Sequence, residues 1–553
     1  MTAEERDPTL PFGWISLGLA CAGILAVAGA ARFWRLHWGI DEGMAFSDEL
    51  QLWRRYTGDF VPLRLNSFAR PDRASAYLYP TGMGYALGLS TWFSTLMGWI
   101  PSPWEVQKSG LLVGRVVAAS FSVLVVGLVG LFATRLHSVR AGLFAAGLMA
   151  VAPLSVMQAH YISTDPLVVF WMTAIVWASY ELAIRGEARI SFGAGALAGL
   201  AFGTKYSGLL AAVAVAWAIS RVAFERRSVA TFVLLTAWSL LGLCVGVLVS
   251  CPLCVWHADY VAEILAFYGE ITSWENVLWW QKNLAPGLGR LGHPYVYQLA
   301  VAFPYACGWA IYLLGLGGVV WAVRRRTVAD QLLLVTVSVY LLSAGLSNSF
   351  EVRYLLPFVP LFVLFAAMFL ADIPAKRLAA GLVSIALVYS AAVSFSQVSR
   401  FSVDQQWQVA DAVQRSEARV EGATIATPSY YAAWIGLQVP FAFFELPLEL
   451  REPGDWLSSD PDYFVLPDIV SNSVYSRGLA RFEEDLDGLR SGRAGYDLVG
   501  TYRSDFFSSG LYTSLDPLLS SSFTQGEIGF ELFARRQPRK ERKGPAPASE
   551  PRS

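Results

Sequence analysis

Long apolar runs alternate with short polar stretches over the first 395 residues. The runs fall at about 12–31, 79–99, 110–134, 140–158, 165–184, 191–220, 229–253, 294–322, 329–347, 354–371 and 378–395. A stretch of about 18 or more nearly uncharged residues can cross roughly 30 Å of hydrocarbon as a helix. The pattern therefore predicts a polytopic bundle of membrane helices. The first run is read as a membrane helix rather than a cleaved signal, because its leading MTAEERDP is more acidic than basic.

Short loops between the runs carry Arg135 and Arg140; Arg185 and Arg189; Arg221, Arg226 and Arg227; Arg324, Arg325 and Arg326; and Lys376 with Arg377. Lys and Arg in short loops mark the cytoplasmic side. Two runs decide whether all these loops share that side. Run 79–99 opens at Pro80 and is interrupted by Gly82, Gly84 and Gly88, whereas run 191–220 has Lys205 at its middle. Only one combination works: 79–99 lies along the interface, and 191–220 is a pair of helices meeting near Lys205. About eleven membrane helices result, in residues 1–395, with the N-terminus cytoplasmic. The long loops 32–109 and 254–293, the turns 159–164 and 348–353, and everything after about 396 then face the other side.

Beyond residue 395 the rhythm changes. The short apolar runs TIATPSYYAAWIG, DYFVLPD, YDLVGTYR and FELFARR, bounded by Gly, Pro and Asp, read as strands, with Gln405 to Glu417 and Gly478 to Arg490 as helices. The fold class is thus mainly α, a transmembrane bundle followed by an extracytoplasmic α/β domain over 396–537. The tail 538–553, rich in Lys, Arg, Pro and Ser, is expected to be disordered. Composition supports the membrane class, with 55% hydrophobic and 15% charged residues and a mean hydropathy of +0.44. The net charge of −1 gives no field suited to nucleic acid. The five cysteines show no disulfide framework, and Cys251 and Cys254 read as small polarizable helix residues rather than a metal pair.

Few residues on the non-cytoplasmic face could carry chemistry. Asp48 and Glu49 are adjacent in FSDELQLWRRYTGDFVP, with a second pair, Asp41 and Glu42, just upstream. Residue types alone do not choose between the pairs, and either could be a solvated surface pair. Asp165, in HYISTDPLVVFW, opens a helix before Pro166, so a helix cap and a site are both consistent with it. Lys205, in AFGTKYSGLL, is a charge within about 30 otherwise uncharged residues, which marks a functional position unless its ammonium reaches the headgroups. Arg353 in SFEVRYLLPFVPL could clamp an anion or pair with Glu351, and His293 in LGHPYVYQL reads as a structural interface histidine.

Taken in order, the loop with Asp48 and Glu49, the Pro-led run 79–99, Arg115 in GRVVAASFSVL, AAGLMAVAPLSVMQAHYISTDPLVVF, LAGLAFGTKYSGLL and EVRYLLPFVPLF form a recognisable series. Over about residues 10–395 the chain resembles the polyprenyl-phosphate-sugar-dependent glycosyltransferases of the C-type superfamily (GT-C). More narrowly, it is similar to the protein O-mannosyltransferase and aminoarabinose transferase group (glycosyltransferase family 39-like). The resemblance implies that Asp48, not Asp41, matches the catalytic carboxylate of the first outer loop and that Asp165 matches the second-loop Asp. Lys205, Arg353, His160 and Tyr161 are the donor-phosphate candidates. It also implies an inverting transfer of a sugar from a polyprenyl-phosphate carrier to a protein, lipid or glycan acceptor, at the outer face of the plasma membrane. A carboxylate base would take the acceptor proton, and Arg or Lys would stabilise the departing phosphate. The Asp-Glu pair could alternatively hold a divalent cation. A transporter or flippase is the alternative of another class, against which stand the large loop after the first helix and the lack of a convincing repeat between the halves.

Overall fold

The structure is a computed structural model that describes residues 14–38, 40, 82–99, 107–252, 293–346, 352–399, 404–415, 424–428, 448–451, 461–467, 486–502 and 530–536, with isolated positions between 253 and 292. It divides into two units, residues 1–37 with 46–399 and residues 38–45 with 400–553. The first is helical. Its helices are α1 (Trp14–Phe33), α2 (Gly82–Leu96), α3 (Gln107–Leu136), α4 (Val139–Ala150), α5 (Pro153–Gln158), α6 (Asp165–Arg185) and α7 (Ala188–Phe202). They continue with α8 (Ala212–Glu225), α9 (Val229–Ser250), α10 (Pro294–Cys307), α11 (Trp309–Arg325), α12 (Val328–Leu346), α13 (Phe358–Asp372) and α14 (Lys376–Ser399). Among the described residues, seven helices are long and apolar enough to cross a membrane, or eight if the bent pair α10–α11 is one span. The expected eleven also counted α4, α7 and α13, which are apolar but shorter. Large side chains such as Val233, Leu240, Leu248 and Val249 on α9 are exposed, as a lipid-facing surface requires.

Of the two deciding runs, 191–220 breaks where the charge pattern required it to. α2 has 15 residues, about 22 Å at 1.5 Å per residue, the same length as α7 and α13. Run 191–220 breaks after Phe202, where Lys205 takes an extended conformation (φ −155°, ψ 131°) ahead of a 3₁₀ turn at Tyr206–Ala211. The break is held from behind by α9. Gly195, Gly199 and Gly203 recur every fourth residue, opposite Gly242, Gly246 and Ser250. A Cβ on any of these five glycines would overlap the facing helix. Ser250 Oγ donates to Gly246 O at 2.7 Å and lies 3.2 Å from Gly199 O. Without a hydrophobic drive between helices in lipid, this close backbone approach is what fastens α7 to α9. Run 294–322 departs from expectation. It bends by 119° between α10 and α11, at Gly308 with φ +76°, a conformation open to glycine because it lacks a Cβ. Residues 298–302 within α10 form a π-helical turn, where Tyr312 donates to Leu299 O at 2.6 Å.

The basic loops converge at one end of the bundle. Glu181 accepts from Arg135 at 2.7 Å and Arg185 at 3.0 Å, and Arg226 reaches Arg185 O at 3.2 Å. Asp372 accepts from His137 at 2.7 Å, Arg325 at 2.8 Å and Trp321 at 2.6 Å, while Arg325 also pairs with Asp330. These contacts tie the ends of α3, α6, α8, α11 and α13 together. From Arg115 to Arg135 along α3 is about 30 Å, so Arg115 stands at the other end. That end also gathers Trp34, the turn 159–164, Lys205 and Ser399.

The second unit carries a five-stranded mixed sheet. β1 (Ile425–Pro428) pairs in parallel with β2 (Leu448–Arg451) and β3 (Tyr463–Pro467), while β5 (Phe530–Arg535) runs antiparallel to β3 and to β4 (Tyr496–Tyr502). Helix α15 (Asp404–Arg415) lays Val409, Ala410 and Val413 onto Ile425, Val465, Phe530 and Leu532. Four of the strands lie within the runs read as strands. β2 comes from LELR, a segment too short and too charged to announce itself.

Candidate active site

Asp165 is the first residue of α6, but it does not cap it. The cap position falls to Thr164, and no side chain there bonds the helix amides. Instead the Asp165 carboxylate turns across the bundle and accepts from Lys205 Nζ at 2.6 Å. Their side chains are 4% and 9% exposed, so the pair is held away from water, where removing either partner would strand a charge. The backbone break at Gly203 and Thr204 allows this. Lys205 N still donates to Ala201 O at 2.9 Å as the last bond of the helix, while Lys205 O accepts from Gly208 N at 2.7 Å in the 3₁₀ turn.

Two further groups close around the lysine. Lys205 Nζ lies 5.0 Å from the Tyr354 ring centroid, and the Arg353 guanidinium lies 5.6 Å from the same centroid. Arg353 and Tyr354 sit on a 3₁₀ turn, Val352–Leu355, just before α13. Two cations thus share one aromatic ring, with one carboxylate beside them, an arrangement suited to an anion at the end of an apolar bundle. Tyr354 was not singled out from sequence; its signal was its place beside Arg353 in a motif already noted.

The turn that presents Asp165 is itself fixed by buried polar groups. His160 is fully buried, its Nδ1 2.9 Å from Val156 O and its Nε2 2.9 Å from Trp34 O. Burial lowers its pKa to about 4, with Arg32 and Arg115 pushing the same way. Both carbonyls favour the protonated ring against that burial, and the neutral ring donates to one of them as it holds the turn. Arg32 is buried as well and meets no carboxylate among the described residues. Its guanidinium donates to Ser122 Oγ at 2.7 Å, Ala150 O at 2.7 Å, Met149 O at 3.0 Å and Ser155 Oγ at 3.1 Å. It thereby caps α4 with a cation at the negative end of the helix. A charge near the end of the first apolar run was the sequence signal for it. Arg115 lies eight residues into α3, buried, with Nη1 donating to Leu36 O at 2.9 Å. Tyr161 is buried in the same turn.

Asp41, Glu42, Asp48, Glu49 and Glu351 lie outside the described residues, so the structure does not bear on a site shared by Asp48 and Asp165. Among the described residues no three His, Cys, Asp or Glu side chains cluster to hold a metal. His293 stands at the cap position of α10, its ring 5.9 Å from that of Tyr295. Cys251, just past α9, is disulfide-bonded rather than a free helix residue, and Cys254 lies outside the described residues.

Residues 104–256, which hold Arg115, His160, Tyr161, Asp165 and Lys205, match the dolichyl-phosphate-mannose-protein mannosyltransferase family. No curated protein matches the chain by sequence. The fold is similar to the Archaeoglobus fulgidus oligosaccharyltransferase tethered to an acceptor peptide, at 14% identity and a TM-score of 0.51, covering 86% of this chain and 72% of that one. It is similar also to the same organism's oligosaccharyltransferase AglB with an inhibitory peptide and a dolichol-phosphate, at 13% identity and 0.50, covering 93% and 78%. ArnT from Cupriavidus metallidurans bound to undecaprenyl phosphate aligns at 14% identity and 0.46, covering 82% and 93%. Residues 104–256 thus match the model of the dolichyl-phosphate-mannose-protein mannosyltransferase family, and the chain shares the fold of the Archaeoglobus fulgidus oligosaccharyltransferases.

Proposed function

We propose that this enzyme moves a sugar, with inversion, from a polyprenyl-phosphate carrier to an acceptor at the extracytoplasmic face of the plasma membrane. The observation that carries the reading is the meeting of Asp165, Lys205, Tyr354 and Arg353 at the end of the bundle opposite the basic loops. The donor has a charged head at the membrane surface and a tail in the hydrocarbon. Lys205 and Arg353 would take its phosphate and the charge that gathers there as the sugar leaves. Asp48 would accept the proton of the attacking hydroxyl, with Glu49 and Asp165 positioning substrate, or a divalent cation if one is used. His160 and Tyr161 would act by holding the turn that carries Asp165. The disulfide at Cys251 fits an oxidising compartment at that end.

Asp48→Asn keeps the side chain's size and removes its basicity. It is expected to cut turnover by roughly two orders of magnitude or more, the scale of a lost general base, while Asp41→Asn has a mild effect. The measurement is sugar transfer from a polyprenyl-phosphate donor, with the acceptor found by mass spectrometry of envelope lipids, glycans and proteins with and without the gene. Near-normal transfer by Asp48→Asn would remove it as the base. Loss of lipid transport without loss of any glycan would instead favour the flippase reading.

A further inference from the structure

An apolar cavity of about 660 Å³ lies between α1 and α14, walled by Val27, Ala30, Trp34, Ala391, Ser394 and Phe395 among others. None of Asp165, Lys205, Arg353 or Tyr354 lines it. Trp34 stacks on Phe395 with centroids 5.1 Å apart, and Ser394 Oγ spends its proton on Val151 O at 2.9 Å. The walls therefore offer a ligand almost nothing but hydrocarbon. Both lining helices are long and apolar enough to cross a membrane, where the solvent that meets the cavity would be lipid. A cation stands at its rim. Arg35 lies 5.2 Å from the Trp34 ring and donates to Ser399 O at 2.8 Å, with no carboxylate partner among the described residues. Its backbone is left-handed (φ 61°), a costly conformation for a residue with a side chain.

We propose that this groove binds one acyl chain of an anionic glycerophospholipid, with the lipid phosphate on Arg35. Size, lining and charge each point that way. The volume falls within the range of ligand cavities, the walls match a hydrocarbon chain, and the tryptophan and arginine stand where headgroups lie. The sugar donor's phosphate belongs with Lys205 and Arg353, which are carried on other elements.

The test uses the full-length protein in detergent, incubated with equal amounts of phosphatidylglycerol and phosphatidylcholine, and native mass spectrometry to count retained lipid. One phosphatidylglycerol per chain is expected, preferred about fivefold, the scale of one basic residue at a lipid surface. Arg35→Gln should abolish the preference yet keep a bound lipid. Ala30→Trp and Ala391→Trp, each at an exposed alanine on a different helix, should empty the groove while thermal unfolding stays near wild type. Four results would overturn the proposal: wild type without lipid, a preference unchanged in Arg35→Gln, lipid that survives both tryptophan variants, or one-for-one displacement of phosphatidylglycerol by polyprenyl phosphate.

Discussion

At the residue scale, the buried pair Asp165–Lys205 separates structure from chemistry. Asp165→Asn leaves a buried ammonium without its partner, and Lys205→Met leaves a buried carboxylate. Each is expected to destabilise by roughly 3–5 kcal/mol, read as a lowered unfolding temperature in detergent. The double variant removes both charges and should regain most of that stability. If the pair serves only the fold, the double variant also regains transfer activity; on the reading above it stays inactive. His160 makes a pH prediction. Its pKa of about 4 in the folded chain lies below the unfolded value of about 6.5. The unfolded state therefore binds more protons between these values. The stability that neutral His160 contributes is complete above pH 6.5 and falls away as pH drops toward 4, by roughly 3 kcal/mol in total. His160→Gln should flatten that part of the curve of unfolding temperature against pH.

At the element scale, the crossing of α7 and α9 sets where Lys205 points. Gly199 and Gly246 face backbone atoms that no Cβ could share, so Gly199→Leu must push the helices apart. Loss of several kcal/mol is expected, as for overpacking a close interface, together with loss of transfer even where the protein still reaches the membrane. A leucine at Gly193, where a Cβ meets nothing within 4 Å, is the matched control and should be nearly silent. Thermal unfolding and expression level of the two variants check this.

At the scale of the whole molecule, the clustered basic loops predict orientation. A cysteine in place of Arg324 should resist a membrane-impermeant thiol reagent in intact cells, and one in place of Ser491 should react, in a background without the free native cysteines. Labelling of both, or of neither, would overturn the parity argument. Arg325 is the centre of the basic end, bridging Asp330 and Asp372. Arg325→Gln should therefore loosen the ends of α11 and α13 and lower stability without touching residues at the opposite end.

The pattern of residues by itself determined the class of protein, the gathering of the basic loops at one end of the bundle, the break at Lys205 and most strands of the second unit. These follow from local rules: length against hydrocarbon thickness, positive charge kept on one side, and period-two alternation. Lys205 was legible because a lone charge in a long apolar run is costly wherever it lies. That it pairs with Asp165, forty positions earlier in the chain, was not legible, since either residue alone admits a bland explanation. Nor was the 119° bend at Gly308, because a glycine in an apolar run looks the same whether straight or broken. Arg32 and His160 likewise gain meaning only from the carbonyls around them. Trp34 O, Met149 O and Ala150 O come from helix ends distant in sequence, and only the folded chain decides which buried polar groups meet.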